Sequence, residues 1–405
     1  MNRINRLTKP VSRSWGGIQS PETSIRRARP LGVHWGLLTV VLSLLAIGCI
    51  SVFSATITDG WVPNGTATEY GRVLKHLIFI GFSAVVACIV TKIPTPYYAR
   101  FWKWIGSIAI FLLLLVLFPG IGKRINNAQR WISFGPVLLQ VVEVVKICLV
   151  IWTAQFVVVR QNYMHSWKHG FAPVAIYMVL LAFLVMMQPD LGSTVVLLCI
   201  SIGILILGGL GAPIIGTIIA LMVLFVFLMI YFTPWRLARL VAFADPWDKE
   251  NVISTSYQLS HSLIAFGRGE LWGVGLGESI EKLFYLPEAH TDFIMAVWAE
   301  ETGLLGVSLV LLLFYFLVRY AFEIGRQAIK LEEYFAGFLA QGIAIWFAAQ
   351  SFINIGVACG ALPTKGLPLP FVSYGGSSML AAMIGVALLF RVDKENKIHM
   401  QGGQV

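Results

Sequence analysis

Residues 35–56 read WGLLTVVLSLLAIGCISVFSAT, a run without one charged side chain. As a helix rising about 1.5 Å per residue it would reach about 33 Å, enough to cross a hydrocarbon core of roughly 30 Å. Comparable runs follow near 73–91, 101–119, 138–158, 171–187, 191–209, 212–232, 302–322, 335–358 and 373–391. The whole chain agrees: of 405 residues, 57% are hydrophobic and 12% charged, where soluble domains carry about 25% charged residues. A water-soluble core cannot hide that much apolar surface. The sequence predicts an all-α polytopic membrane protein of about ten transmembrane helices.

Lys and Arg set the orientation, because cytoplasmic loops retain positive charge. The tail over 1–33 holds Arg3, Arg6, Lys9, Arg13, Arg26, Arg27 and Arg29 against the single acid Glu22. It has no h-region or cleavage site of a signal peptide and is expected to be a disordered cytoplasmic tail. Basic residues recur in alternate loops, at Lys92, Arg100 and Lys103, at Arg160 and Lys168, at Arg319, Arg326 and Lys330, and at Arg391, Lys394 and Lys397. Both termini are then cytoplasmic, the membrane domain fills 34–391, and a second disordered tail covers 392–405. The net charge of +10 reads as a topology signal with some attraction to anionic lipid. No basic stripe with interleaved aromatics points to nucleic acid. Cys49, Cys88, Cys148, Cys199 and Cys359 all fall within spans, where a thiol behaves as a small apolar group. There is no CxxC, no HExxH and no paired His spacing, so neither a disulfide framework nor a metal site is expected.

One connection is out of scale. The stretch over 233–301 lies between the seventh and eighth spans, on the extracytoplasmic side, where helix connections usually take about 2 to 8 residues. It carries Trp235, Phe243, Trp247, Phe266, Trp272, Phe284 and Tyr285 among its charges, so parts of it should lie as amphipathic pieces against the bundle at the interface.

Ionisable groups at membrane depth point to chemistry, because burying one costs about 2.5 to 3.5 kcal/mol even on the lenient insertion scale. Glu143 and Lys146 in the fourth span share a helical face and should point inward, either as an ordering ion pair or as the lining of a polar cavity. Asn126, Asn127, Arg130 and Trp131 precede that span, where a guanidinium beside an indole suits phosphate binding or interfacial anchoring. Gln188 and Asp190 lie in the turn between the fifth and sixth spans, and Asp190 can equally cap the next helix. Asp292 opens the apolar run from Phe293 to Trp298, with Arg236, Arg239, Lys282 and His290 in the same loop and Lys365 in the next outside loop. A carboxylate among cations suits proton abstraction beside a bound anion. The last outside segment, with three prolines and two adjacent glycines, includes Ser373 and Tyr374; at membrane depth it must be buried in protein or line a cavity, where its N–H groups could meet an anion.

The Arg130–Trp131–Ile132 stretch, the Gln188 to Ser193 turn, GRGELWGVGLG at 267–277, YLPEAHTDF at 285–293 and the run from Pro363 ending SYGGSS at Ser378 together resemble the SEDS family (shape, elongation, division and sporulation). The PTKG at Pro363, the basic N-terminal tail and AEETG at Ala299 resemble its division branch more than its elongation branch. The family's Q-P-[SA]-E-x-x-K pattern stands here as Gln140, Val141, Val142, Glu143 and Lys146, without the proline.

The resemblance implies a multi-pass protein of the bacterial inner membrane at the division septum. It implies a glycosyltransferase that polymerises lipid II, an undecaprenyl-pyrophosphate-linked disaccharide pentapeptide, into glycan strands. Asp292 matches the family's essential loop carboxylate, with Arg130, Trp131, Glu143, Lys146, Gln188, Asp190, Arg236, Arg239, His290, Lys365, Ser373 and Tyr374 as candidate substrate contacts. A class B penicillin-binding protein, a transpeptidase, and other division proteins are the implied partners. No cofactor is certain, and a divalent cation held on the substrate pyrophosphate is compatible with the residues. A lipid II flippase and a non-catalytic division scaffold remain the alternatives.

Overall fold

The computed structural model describes residues 32–57, 71–125, 128–135, 137–248, 254 and 256–403. The predicted basic tail thus lies, up to residue 31, outside the described residues, as do Asn126 and Asn127. Among the described residues the architecture is helical: α1 (Trp35–Thr56), α2 (Gly71–Val90), α3 (Thr95–Leu117), α4 (Val141–Arg160), α5 (Ala172–Met186), α6 (Leu191–Leu207), α7 (Ala212–Tyr231), α8 (Pro234–Ala244), α9 (Tyr257–Gly269), α10 (Ile294–Lys330), α11 (Tyr334–Ala358) and α12 (Gly376–Met400). Eight helices of the described residues are long and apolar enough to cross a membrane, and α6 and the Ala212–Phe225 part of α7 are shorter apolar helices.

α11 is the axis of the bundle, packing on α10, α6, α4 and α12. Its small residues permit this. Gly337 and Gly342 leave no room for a Cβ, which would stand 2.4 Å from Ile329 and 2.6 Å from Ile204. The outward faces of α2 and α7 instead expose Leu74, Ile78, Phe82, Val85, Leu221, Val223 and Phe227, as helices bathed in lipid do.

A three-stranded antiparallel sheet, β1 (Gly122–Ile125), β2 (Ala128–Phe134) and β3 (Val137–Gln140), joins α3 to α4. The apolar runs do not predict this sheet, because strands of four to seven residues carry no span-length signal. It pairs its backbone groups internally, and Ser377 fastens it to α12 by accepting from the Gln140 N–H at 2.8 Å and donating to the Leu138 carbonyl at 3.1 Å. Val141, where the family pattern has proline, takes the first position of α4. The N–H there has no intrahelical partner in any helix, so proline is tolerated at that position but not required.

The bundle has two distinct ends. One gathers the N-terminal end of α1, the α2–α3 connection and the end of α12. There Arg391 pairs with Glu395 at 2.6 Å and Lys397 with Asp393 at 2.5 Å. Glu395 also accepts from Thr95, Lys397 donates to the Gly32 carbonyl, and Asn396 donates to the Ile324 carbonyl. The disordered tail expected from 392 is therefore helical through Met400, with Asp393, Glu395 and Lys397 buried. Its charges read as a solvated tail in sequence, but their i,i+4 pairs neutralise one another on a packed helix.

The opposite end is built from the sheet, the α5–α6 turn, the described parts of the 232–293 stretch and the loop over 359–375. The long loop folds onto the bundle, as expected, through α9 on α10. Helix α10 starts at Ile294, ahead of the eighth span expected from 302, and in this first segment Glu300 and Glu301 are buried and paired. Glu300 accepts from Arg268, Ser279 and the Ile280 and Glu281 N–H groups. Glu301 accepts from Ser54 and from Lys282, which also donates to the Gly277 carbonyl at 2.6 Å. α10 then breaks at Gly303, whose φ is 66°. The groups freed at the break bond to the loop: Leu304 N–H donates to the Glu270 carbonyl, and the Glu300 and Glu301 carbonyls accept from Val274 and Gly275. Backbone opened at membrane depth must find such partners.

A Cβ on Gly303 would lie 2.4 Å from the Gly273 nitrogen, at a φ that disfavours side chains. Gly303→Ala is expected to destabilise the protein by about 1 to 3 kcal/mol, read as a lower thermal midpoint in detergent. Gly81→Ala, where a Cβ meets nothing within 4 Å, should stay within about 0.5 kcal/mol of the parent. Equal midpoints for the two variants would contradict this origin of the break.

Candidate active site

Asp292 sits one residue before the N-cap of α10 and does not cap it, since Phe293 holds that place. Its backbone is fixed on three sides. Asn354 of α11, 1% exposed, donates from Nδ2 to the Asp292 carbonyl at 2.9 Å and to the Leu367 carbonyl at 2.6 Å. Ser373 donates to the Thr291 carbonyl at 2.6 Å while accepting from the Leu369 N–H. The Tyr374 N–H donates to the His290 carbonyl at 3.0 Å. The proline-rich loop is thereby held against the 290–292 turn, and Leu367, Leu369, Phe371 and Val372 are buried beneath it. Gly48 of α1 admits the loop closely, because a Cβ there would be 2.3 Å from the Phe371 carbonyl oxygen.

The Asp292 side chain is only partly exposed and makes no hydrogen bond or ion pair with the described residues. Gly366 lies directly against it, since a Cβ on that glycine would meet Oδ2 at 2.5 Å. Burial pushes the Asp292 carboxyl up to about 7, with the Glu288 and Asp190 carboxylates adding to the rise and Arg130 opposing it. A carboxyl near 7 is matched to taking a proton at neutral pH.

The other predicted residues fall into three groups. At the Asp292 rim, the Arg130 guanidinium donates to the carbonyls of Gln188 (3.0 Å) and Pro189 (2.7 Å) and lies 3.7 Å from Asp190. Asp190 caps α6 by accepting from the N–H and hydroxyl of Ser193. The Gln188 Nε2 is buried without a partner, and Trp131 is half-buried in β2 beside Gln140. His290 faces Arg72, with Nη1 3.0 Å from Nε2, and its ring lies 5.8 Å from that of Tyr374.

A second group lies deeper. Lys146 pairs with Glu143 at 2.7 Å, bonds Gln350 at 2.7 Å and lies over the Trp346 ring. Gln350 in turn donates to the Pro368 carbonyl at 2.8 Å, so the pair faces inward and reaches the loop through one amide. Of the third group, Arg236 and Arg239 fall on α8, with side chains outside those described, and Leu240 of the same helix lines a cavity shared with Lys365. Lys282, expected among the cations near Asp292, is instead buried against Glu301 beside α1.

Lys365 lines an apolar cavity of about 390 Å³ with Leu191, Gly192, Ile353 and Leu362. Leu191, Ile353 and Lys365 are chain neighbours of Asp190, of Asn354 and of the Gly366 that touches Asp292, while Asp292 itself does not line the cavity. Among the described residues no group of three or more His, Cys, Asp or Glu could hold a metal ion.

Three polar residues of this end escape a reading of the sequence. Arg72 carries a signal, a cation at the wrong end of a span for the inside charge bias. Gln350 and Asn354 carry another, since two amides at i,i+4 within an apolar helix share one face.

A family model described as cell cycle protein, spanning FtsW, RodA and SpoVE, matches residues 35–398. Proteins described as "Probable peptidoglycan glycosyltransferase FtsW" from Burkholderia thailandensis and Polynucleobacter necessarius are each 44% identical to this chain. The alignments cover 96% and 98% of it, and 85% and 97% of those proteins. A solved structure described as "Structural coordination of polymerization and crosslinking by a peptidoglycan synthase complex" aligns over 90% of this chain and 99% of its own, with a TM-score of 0.72 at 23% identity. Thermus thermophilus rod shape determining protein RodA aligns over 90% and 98%, with a TM-score of 0.64 at 23% identity. Those structural likenesses concern the fold.

A reaction that uses Asp292 as base loses rate as pH falls through about 7, because the protonated carboxyl accepts nothing. Removing the opposing charge with Arg130→Gln should move that acid limb to higher pH. Rate profiles of the two proteins check this, and a limb left in place would detach Arg130 from the titration.

Proposed function

The chain belongs to the cell cycle protein family of FtsW, RodA and SpoVE, and from that membership and the setting of Asp292 we propose that it is a peptidoglycan glycosyltransferase of cell division whose substrate is lipid II. The observation that carries the reading is a carboxylate unpaired among the described residues, tuned by burial, in contact with the loop whose Lys365 walls an apolar cavity. Near-membrane placement of both features suits a sugar carried on a polyprenyl pyrophosphate.

In this reading the acceptor's sugar hydroxyl attacks the anomeric carbon of the donor. A carbon–oxygen bond forms to the hydroxyl oxygen as the bond to the pyrophosphate oxygen breaks. The hydroxyl proton passes to Asp292, and the pair of electrons leaves on the lipid pyrophosphate. Lys365, with Arg72 across the turn, supplies positive charge for that leaving group. Arg130 holds the α5–α6 turn and thereby the shape of the rim. Any divalent cation is assigned to the pyrophosphate oxygens.

The lysine and arginine bias places the end with both termini in the cytoplasm and Asp292 outside. We assign the protein to the inner membrane at the septum, with a class B penicillin-binding protein as the transpeptidase partner. The likeness to a synthase complex of coupled polymerisation and crosslinking supports such a partner.

Asp292→Ala is expected to abolish glycan product from lipid II, assayed with purified protein and its transpeptidase partner, while lipid II binding persists. Undiminished polymer from that variant would remove Asp292 as the base, and movement of monomer between leaflets without polymer would favour a flippase. Lys365→Ala should lower turnover about 100-fold, the scale of one preorganised charge at a developing anion. An unchanged rate would place the leaving group elsewhere.

A further inference from the structure

At the terminal end of the bundle, far from Asp292, a second cleft of about 390 Å³ opens between α6, α10 and α11. Its walls are apolar, with Leu207, Tyr315 and Phe322, but two guanidinium groups, Arg319 and Arg326, line it as well. Seven residues apart on α10, they share one helical face and stand roughly 10 Å apart along the axis. Both are exposed. Among the described residues neither forms an ion pair or hydrogen bond, and Glu323 between them pairs with neither. The Gln341 Oε1, on α11 in the same cleft, is buried without a hydrogen-bond partner.

The depth of the cleft narrows its occupant. Arg326 is one turn from the end of α10 at Lys330, and Gln341 is two turns into α11 from Tyr334. An apolar groove at that level, topped by cations, meets lipid rather than water. Two guanidiniums without a carboxylate call for an anion, the walls call for hydrocarbon, and the orphan oxygen calls for a hydroxyl donor. A phospholipid with an anionic, hydroxyl-bearing headgroup answers all three. We propose that this cleft is a binding site for one such lipid, of the phosphatidylglycerol type, in the leaflet on the side of the termini. The phosphate sits between Arg319 and Arg326, a headgroup hydroxyl donates to Gln341, and an acyl chain lies along Leu207 and Tyr315. Basic pockets between transmembrane helices are suited to such headgroups.

The test is retention of lipid by the full-length protein. The protein is reconstituted in nanodiscs of equal phosphatidylglycerol and phosphatidylcholine, extracted, and its bound lipid quantified by native mass spectrometry. Wild type should keep about one phosphatidylglycerol per chain in preference to phosphatidylcholine. Arg319→Gln with Arg326→Gln should lose that preference about tenfold or more, given the pull of each cation on anionic lipid. Arg100→Gln with Lys103→Gln removes the same charge from exposed positions outside the cleft and should leave retention intact. Leu207→Trp fills the cleft without touching charge and should also expel the lipid, so the site can still be refuted if the arginine variant misfolds. Wild type without a preference, equal losses from both charge pairs, or full retention by the filled cleft would each overturn the site.

Discussion

One amide does more than any other group to set the geometry of the loop end. Asn354 divides the two hydrogens of Nδ2 between the carbonyls of Asp292 and Leu367, so the carboxylate turn and the proline–glycine loop are held by the same side chain of a central helix. Ser373 and the Tyr374 N–H repeat the connection from the loop side. Each bond is modest by itself, about 1 kcal/mol net, but a buried carbonyl left without its donor costs about 1 to 3 kcal/mol. The consequence is chemical: a turn so fixed can keep Asp292 close to Gly366 without bonding its carboxylate to any described residue, and a free carboxylate is what a base requires.

The same economy of polar groups runs through the rest of the bundle. Glu143 and Lys146 close on each other and on Gln350, Glu300 and Glu301 close on Arg268 and Lys282, and Glu395 closes on Arg391 and Thr95. In each case a charge that would be prohibitive in hydrocarbon is matched by a partner on the same or an adjoining element, and removing one partner of a pair buried on both sides, such as Glu143 and Lys146, costs about 3 to 5 kcal/mol. These pairs also tie elements together. The Glu301 group fastens α10 to α1 and to the long loop, and the Glu395 group fastens α12 to the α2–α3 connection. Asp292 departs from that pattern, with no such partner among the described residues.

How much of this is legible in the chain varies with the kind of signal. Uninterrupted apolar runs are read closely, as at 35–56, which coincides with α1. The spans that mislead are those with charge at their ends. Hydropathy stops the tenth run at 391, whereas the helix extends to Met400, and it passes over the charged segment from Ile294 that precedes the break at Gly303, because paired charges pack as well as apolar groups do and hydropathy scores each residue alone. The sheet over 122–140 is invisible for want of length. At the site, Asp292, His290, Lys365, Ser373 and Tyr374 stand out in the sequence and do converge, since they lie in loops whose composition already marks them. Lys282 does not join them, although it shares their loop, because it is buried against Glu301 and Ser54 of α1. Asn354 goes unnoticed because an amide among twenty-four other helix residues has no charge to flag it, and Arg72 because its loop-end position matters more than its type.

The central claim is that Asp292 stands within reach of a lipid-linked sugar. A structure of the full chain with a lipid II analogue that binds but cannot transfer tests it most directly. We expect a carboxylate oxygen of Asp292 at about 3 Å from the attacking sugar hydroxyl, with hydrocarbon in the cavity beside Lys365. A sugar bound elsewhere, with Asp292 sealed from it by packed protein, would contradict the assignment.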